Sequence, residues 1–284
     1  MRLANQVVVV TGASMGIGEA IATAFVGEGA SVVLLSRDAG RVEAARVRIE
    51  HPERTLALAC DVRHREEIDR AVSLAMHHFG RIDVWVNNAG HGLVDSVASM
   101  DMEACREMFE TNLFGTLSAM QAVLPLMKQQ GGGTIINISS VAGHIPLAYS
   151  AGYSGTKFAM NAMGKAARIE LRTRGINVLT VCPGYVRTDF SANAVRGKEQ
   201  KKVRPEAVRG ITAKRVARAT LAGYLQRKRE VIVPWTMIPM VKLYQLFPGS
   251  SSGQCCGWRG QRTKRLLATS FWLMAISRSS ERSG

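Results

Sequence analysis

The sequence predicts an α/β fold, a single doubly wound domain on a seven-stranded parallel sheet with helices on both faces. Three observations support this. Short runs of β-branched and aliphatic residues alternate with stretches of helical spacing from Val7 to Val233. The strand-like runs are continuously apolar, as strands buried on both faces require. At 284 residues with 46% hydrophobic content, the chain can bury a large core without disulfides or metals to staple it.

Each element follows from local pattern. Val7–Val10 is the first strand and ends at Thr11-Gly12. Helical spacing of Ile17, Ala20, Ile21, Ala24 and Phe25 predicts a helix over Gly16–Glu28, stopped by Gly29. Ser31–Leu35 is the second strand, Arg41–Glu50 an exposed helix closed by Pro52, and Thr55–Cys60 the third strand. An amphipathic helix over Arg65–Phe79 ends at Gly80, and Ile82–Val86 is the fourth strand. A long helix is expected over Glu103–Gln129, with Pro125 kinking or shortening its end. Thr134–Ile138, Ile176–Val181 and Val231–Val233 complete the strands, with helices over Gly152–Arg174 and Thr212–Gln226 between them. Right-handed crossovers then wind the chain over both faces, and ligands are expected beyond the carboxyl ends of the strands.

Residues 1–248 form one domain on this reading, with a substrate lid at about 190–210. Residues 249–284 have no amphipathic period and are rich in Ser and Arg. Two readings of this tail stay open. It is a genuine basic tail, disordered or touching membrane or a partner, or it is the product of a frameshift near Pro248-Gly249. Ser251–Arg259 can be written in codons that, read from one base earlier, give Val-Glu-Trp-Ala-Met-Leu-Arg-Val-Ala, a helical continuation of Met237–Phe247.

The formal net charge is +15, with the excess between Arg196 and Arg229 and in the tail. No base-reading module accompanies it, so a basic surface, or attraction of phosphorylated ligands, is expected in place of nucleic-acid binding. The five cysteines form no CxxC pair, and the six histidines lie at no ligand spacing, so neither a disulfide framework nor a metal site is expected. No leader is visible at the start and no apolar run is long enough to span a bilayer, so a reducing, cytoplasmic setting is expected.

The run Thr11-Gly12-Ala13-Ser14-Met15-Gly16-Ile17-Gly18 lies between a strand and a helix. Glycine there permits a tight turn and close approach of a pyrophosphate to the helix N-terminus, which makes the fold Rossmann-type. After the second strand stand Ser36, Arg37 and Asp38. Ser36 occupies the place where NAD enzymes usually carry an acid for the ribose diol. Arg37 suits a ribose 2′-phosphate, so NADP(H) is favoured over NAD(H), while Asp38 either repels that phosphate or turns outward. Asp61-Val62 fits an adenine contact, and Asn88, Ala89 and Gly90 offer amides and small residues beside the cofactor.

With Asn112, Ser140, Tyr153-Ser-Gly-Thr-Lys157 and Pro183-Gly184 through Thr188 added in order, residues 4–235 resemble a classical short-chain dehydrogenase/reductase. Tyr153 and Lys157 are i and i+4 on one helix and share a face. An ammonium beside a phenol favours the phenolate, so Tyr153 can exchange a proton as hydride moves. Ser139 and Ser140 point to opposite sides of their strand, and the family's spacing selects Ser140 to hold the substrate oxygen. The resemblance further implies that Lys157 holds the nicotinamide ribose. It implies that Asn112 holds a relay water, and that Pro183, Gly184, Val186 and Thr188 meet the carboxamide and phosphate. It implies a homodimer or homotetramer built on the two long helices.

The expected activity is hydride transfer between NADP(H) and a carbonyl or secondary alcohol. Leu147, Ala148, Tyr149, Phe190, Met237 and Met240 point to an apolar small-molecule substrate. Tyr149 and Tyr185 are read as pocket wall, and His91 and His144 as packing or exposed residues near the pocket. Rival readings are an NADP-binding regulator without turnover, a basic nucleic-acid-binding module, and an epimerase or dehydratase on the same scaffold.

Overall fold

The computed structural model describes residues 1–49, 51–197 and 210–248. Glu50, the middle of the expected lid and the whole tail lie outside the described residues.

Seven strands form one parallel sheet. They are β1 (Val7–Thr11), β2 (Ser31–Ser36), β3 (Thr55–Ala59), β4 (Val84–Asn87), β6 (Gly133–Ile138), β7 (Ile176–Pro183) and β11 (Glu230–Val233). Their order across the sheet is β11-β7-β6-β4-β1-β2-β3, every neighbouring pair parallel. The chain winds outward from β1 in one direction through β2 and β3, then crosses back to β4 and continues the other way. The switch point therefore lies between β1 and β4, where a crevice opens beyond their carboxyl ends.

Helices α1 (Gly16–Gly27) and α7 (Ala213–Leu225) cover one face. There Ile21, Phe25, Val216 and Leu221 pack on Val8, Val10, Leu34 and Val181. On the other face α3 (Arg65–Phe79), α5 (Gly115–Gln129) and α6 (Ala151–Leu171) cover Val9, Val33, Trp85, Ile135 and Val178. Alternate residues of β1 thus serve opposite cores, which is why Val7–Val10 shows no polar alternation. Each fully buried Val or Ile contributes roughly 1.5–3 kcal/mol of apolar burial. Helix α2 (Ala39–Arg48) starts from Asp38, whose carboxylate accepts from the Arg41 amide.

Several element ends shift by one to three residues, and one expected helix is divided. The long helix over Glu103–Gln129 is two helices, α4 (Met102–Phe109) and α5, joined by a π-helical turn at Glu110–Phe114. Pro125 does not shorten α5, which runs on to Gln129. The ring lies on an exposed position, and the carbonyl it deprives of a donor belongs to exposed Gln121.

Short strands join the described ends of the segment expected to form the lid to the body. In β5 (Leu93–Val94), residues pair with β9 (Val195–Arg196), and β8 (Val186–Arg187) pairs with β10 (Ile211–Thr212). Alternation this brief leaves no periodic trace, so none was legible in the sequence. The last described element, α8 (Ile238–Leu246), rests its Val241 on Val141, Ile145 and Met237.

Candidate active site

The glycine turn is braced by the end of β4. The buried Thr11 hydroxyl donates to Val86 O and accepts from the amides of Asn88 (2.9 Å) and Ala89 (3.0 Å). The Asn88 side chain donates back to Thr11 O (2.9 Å) and Gly12 O (3.0 Å). Gly12 and Gly16 take positive φ values of 63° and 62°. A methyl group on Gly12 would stand 2.8 Å from Ala89 Cα, and one on Gly18 would stand 2.4 Å from Gly12 O. Met15 precedes α1 with no side-chain cap, so the first amides of that helix keep no side-chain acceptor. This uncapped N-terminus beside half-buried Gly16 and Ile17, with Thr188 3.4 Å from the place a Gly16 Cβ would take, is a cradle that fits a pyrophosphate.

Beyond β2, the Ser36 hydroxyl donates to Ser14 at 3.1 Å. Asp38 is engaged with α2, accepting from the Arg41 amide and pairing with its guanidinium at 3.4 Å. Arg37 is exposed and makes no ion pair among the described residues. Its charge is felt by Asp61 and His91, which places it on the same side of the crevice. Burial pulls His91 below its usual range and Arg37 adds to this, both favouring the neutral ring. Burial alone would push Asp61 up, but the Arg63 fork, bonded at 2.7–3.1 Å, holds the carboxyl below its ordinary value. Val62 is buried behind it, against the place a Gly115 Cβ would fill.

Ser140, Tyr153 and Lys157 meet at the carboxyl end of β6. Ser140 starts a short 3₁₀ turn, where its hydroxyl accepts from Ala142 N at 3.1 Å and reaches Pro183 O at 3.5 Å. Ser139 faces the other way, into α6, where its hydroxyl meets Lys157 O. Lys157 Nζ donates to Ile138 O at 3.0 Å and lies 5.7 Å from the centre of the Tyr153 ring. Burial pushes the Tyr153 phenol up to about 12, against a hydrogen bond from Ser140 that lowers it. Burial likewise pulls the Lys157 ammonium down to about 8.

Asn112 sits fully buried in the π turn. Its side chain accepts from His91 N (3.0 Å) and donates to His91 O (2.9 Å) and Thr156 (3.3 Å). It therefore ties the segment after Gly90 to the helix that carries Lys157. The extra residue of a π turn re-aims one side chain without ending the helix.

Three side chains of this region carry no signal in the sequence, and a fourth, Phe190, is placed more closely than the sequence shows. Thr11 braces the glycine turn, Arg63 locks Asp61, and Arg48 reaches both Ser14 O and Glu19. Phe190 stands over Tyr153 with ring centres 5.7 Å apart. A Thr at a strand end and an Arg after an Asp are too common to signal these roles. Phe190 was read as pocket lining, but its ring contact with Tyr153 is tertiary. Tyr185 bonds Ser191 at 3.2 Å, and Tyr149, at φ 60°, turns the chain beside Asp95. Among the described residues no helix is long and apolar enough to cross a membrane.

Comparison with known proteins agrees with this architecture. An uncharacterized oxidoreductase of Staphylococcus epidermidis is 36% identical over 200 residues, covering 70% of this chain and 86% of its own. One of Staphylococcus saprophyticus is 36% identical over 203 residues, covering 71% and 87%. Among solved structures, a short-chain dehydrogenase from Streptomyces avermitilis is 28% identical with TM-score 0.75, covering 88% of this chain and 98% of that one. A short-chain dehydrogenase/reductase from Burkholderia phymatum, solved in complex with NAD, shares the fold at 20% identity and TM-score 0.79, covering 92% and 99%. The family model described as short chain dehydrogenase matches residues 6–199, more than half of the chain. The chain belongs to the short-chain dehydrogenase family of oxidoreductases.

Proposed function

We propose that this chain is an NADP(H)-dependent oxidoreductase of carbonyl and secondary-alcohol substrates, with Tyr153 as acid and base. The observation that carries the reading is the convergence of Ser140, Tyr153 and Lys157 beside the glycine cradle, at the switch point of the sheet. The nicotinamide, when bound, supplies or accepts the hydride. The first amides of α1 with Gly12, Ser14, Met15, Gly16, Ile17 and Gly18 hold the pyrophosphate. Asp61 and Val62 meet the adenine, and Asn88, Ala89 and Gly90 line the cofactor's other side. Pro183, Gly184, Val186 and Thr188 take the carboxamide end.

Ser140 donates to the substrate oxygen and steadies it against Tyr153. In reduction the Tyr153 hydroxyl gives its proton to that oxygen, and in oxidation the phenolate takes it back. Lys157 binds the ribose hydroxyls and, when charged, favours that phenolate against the burial that raises the phenol. Asn112, bonded to Thr156 next to Lys157, is assigned the relay water. The NADP preference rests on exposed Arg37 together with Ser36, where an acid would exclude a 2′-phosphate. It is supported by Asp38 being spent on the cap of α2. Exposed Phe114, Leu117, Phe158 and Ile169 on the helical face support pairing of two copies.

Separate titrations with NADPH and NADH, followed by nicotinamide fluorescence, test this. Tighter NADPH binding that is lost in Arg37→Asp, with carbonyl turnover lost in Tyr153→Phe, is the expected result. A folded protein that binds neither nucleotide refutes it.

A further inference from the structure

Behind Ser140 the fold assembles a second group of polar side chains that the proposed reaction does not use. His144 closes the turn that Ser140 opens, Cys182 is the last residue of β7 before Pro183, and Glu230 begins β11. His144 and Cys182 are buried and Glu230 is partly so. The Cys182 sulfur lies 3.5 Å from His144 Nε2, and Glu230 Oε1 lies 3.2 Å from the same nitrogen. One donor atom from each residue falls within 4.8 Å of the other two.

The two separations from Nε2 match those of a tetrahedral site. Zinc bonds of about 2.3 Å to sulfur and about 2.0–2.1 Å to nitrogen and oxygen place sulfur about 3.6 Å from nitrogen and nitrogen about 3.3 Å from oxygen. Hydrogen bonding accounts for the cluster less well. Nε2 has a single in-plane direction, yet Cys182, Glu230 and the Asn161 amide (3.4 Å) all crowd it. Glu230 Oε1 is buried and faces His144 Nε2, with no other hydrogen-bond partner among the described residues.

The outer contacts fit the same picture. The Gln245 amide lies 3.3 Å from His144 Nδ1 and, turned to present its oxygen, accepts Nδ1–H and leaves the Nε2 lone pair free. A cavity of about 410 Å³, lined by His144, Asn161, Lys165, Tyr244 and Gln245, opens beside the His144 ring.

We propose that His144, Cys182 and Glu230 bind one Zn²⁺ ion. The three ligands are neutral imidazole, thiolate and carboxylate, so their two negative charges match the ion. On binding, Cys182 forms a metal–sulfur bond and releases its thiol proton to solvent. The ion ties β7, β11 and the turn after Ser140 into one rigid wall. The residues are 38 and 48 positions apart in sequence, so no ligand spacing announces them.

Cobalt is the probe. Co²⁺ is titrated into the chelator-treated full chain and followed by absorption, with displacement by Zn²⁺. The expected result is one equivalent, with thiolate-to-cobalt charge transfer and the intense visible bands of four-coordination. Both are lost in Cys182→Ser and kept in the Cys255→Ser, Cys256→Ser double variant. His144→Gln and Glu230→Gln each weaken binding ten-fold or more, on the order of the cost of losing a ligand or its support. A folded wild-type chain with no thiolate band at about 100 μM Co²⁺ overturns the proposal. So does a band that survives in Cys182→Ser. If Cys182→Ser does not fold, the Glu230→Gln titration and proton release by the wild type decide. A Co²⁺ affinity unchanged in Glu230→Gln, or binding without proton release, overturns the proposal.

Discussion

The Lys157 ammonium nitrogen sits 5.7 Å from the centre of the Tyr153 ring, one turn further along the same helix. Burial drives each group toward its uncharged form, the phenol up to about 12 and the ammonium down to about 8. Burial thus favours the protonated phenol of Tyr153, the form that the proposed carbonyl reduction would use.

Ser140 works against that shift, because its hydrogen bond lowers the Tyr153 pKa. Ser140→Ala is expected to move the rising limb of kcat/KM for alcohol oxidation to higher pH and to lower the plateau about 10²–10⁴-fold. The full pH–rate profile of both proteins checks this. An unmoved limb would show that Ser140 does not touch the phenol in the working enzyme.

Lys157 is held at a cost. Its pKa is about 8 in the fold against an ordinary 10.5, so below pH 8 folding confines a charged group in an apolar site. Between about pH 8 and 10.5 the unfolded chain binds more protons, so this residue's contribution to stability rises with pH by about 3 kcal/mol. Lys157→Met is expected to stabilise the protein by about 1–3 kcal/mol at pH 7, less the lost bond to Ile138 O, while abolishing turnover. Urea unfolding at pH 7 and pH 10 should show the advantage disappearing at the higher pH.

Thr11→Val keeps the shape of the side chain and removes the hydroxyl that two backbone amides use. Those of Asn88 and Ala89 then lack an acceptor, at a cost of about 2–3 kcal/mol. Nucleotide affinity should fall with stability, because the same bonds set the shape of the glycine turn. Thermal unfolding and NADPH titration on one sample measure both, and an unchanged Tm would dismiss the brace.

Phe190 covers the Tyr153 ring from the lid segment. Aromatic pairs of this kind contribute roughly 0.5–1.5 kcal/mol. Phe190→Ala should raise KM for an apolar carbonyl several-fold to about ten-fold and leave NADPH affinity unchanged. Equal loss for nucleotide and carbonyl would mean that the ring shapes the whole crevice instead.

Much of this was legible in the sequence because it is encoded locally. Val7–Val10 and Ile176–Val181 read as strands from a few consecutive side chains, and Gly12 through Gly18 read as a phosphate turn from glycine spacing. Strand alternation says that only one of Ser139 and Ser140 faces the site, the family's spacing selects Ser140, and the structure turns the two to opposite sides. The π turn at Glu110–Phe114 was not legible. Its composition is ordinary for a helix, and what accompanies it is the pull of His91 and Thr156 on the buried Asn112 side chain.

By itself, then, the sequence determined the parallel sheet, the glycine turn, and the placing of Tyr153 and Lys157 on one helical face. These follow from periodicity, backbone freedom and residue spacing, all short-range properties of a chain. Only the tertiary structure decided that Thr11 braces Asn88, that Asp38 turns into its helix cap beside a free Arg37, and that Phe190 lies over Tyr153. It alone gathered His144, Cys182 and Glu230 around one point. Such contacts join residues dozens of positions apart. They arise where strand register and helix packing bring ends of elements together, and no local pattern records where those ends will meet.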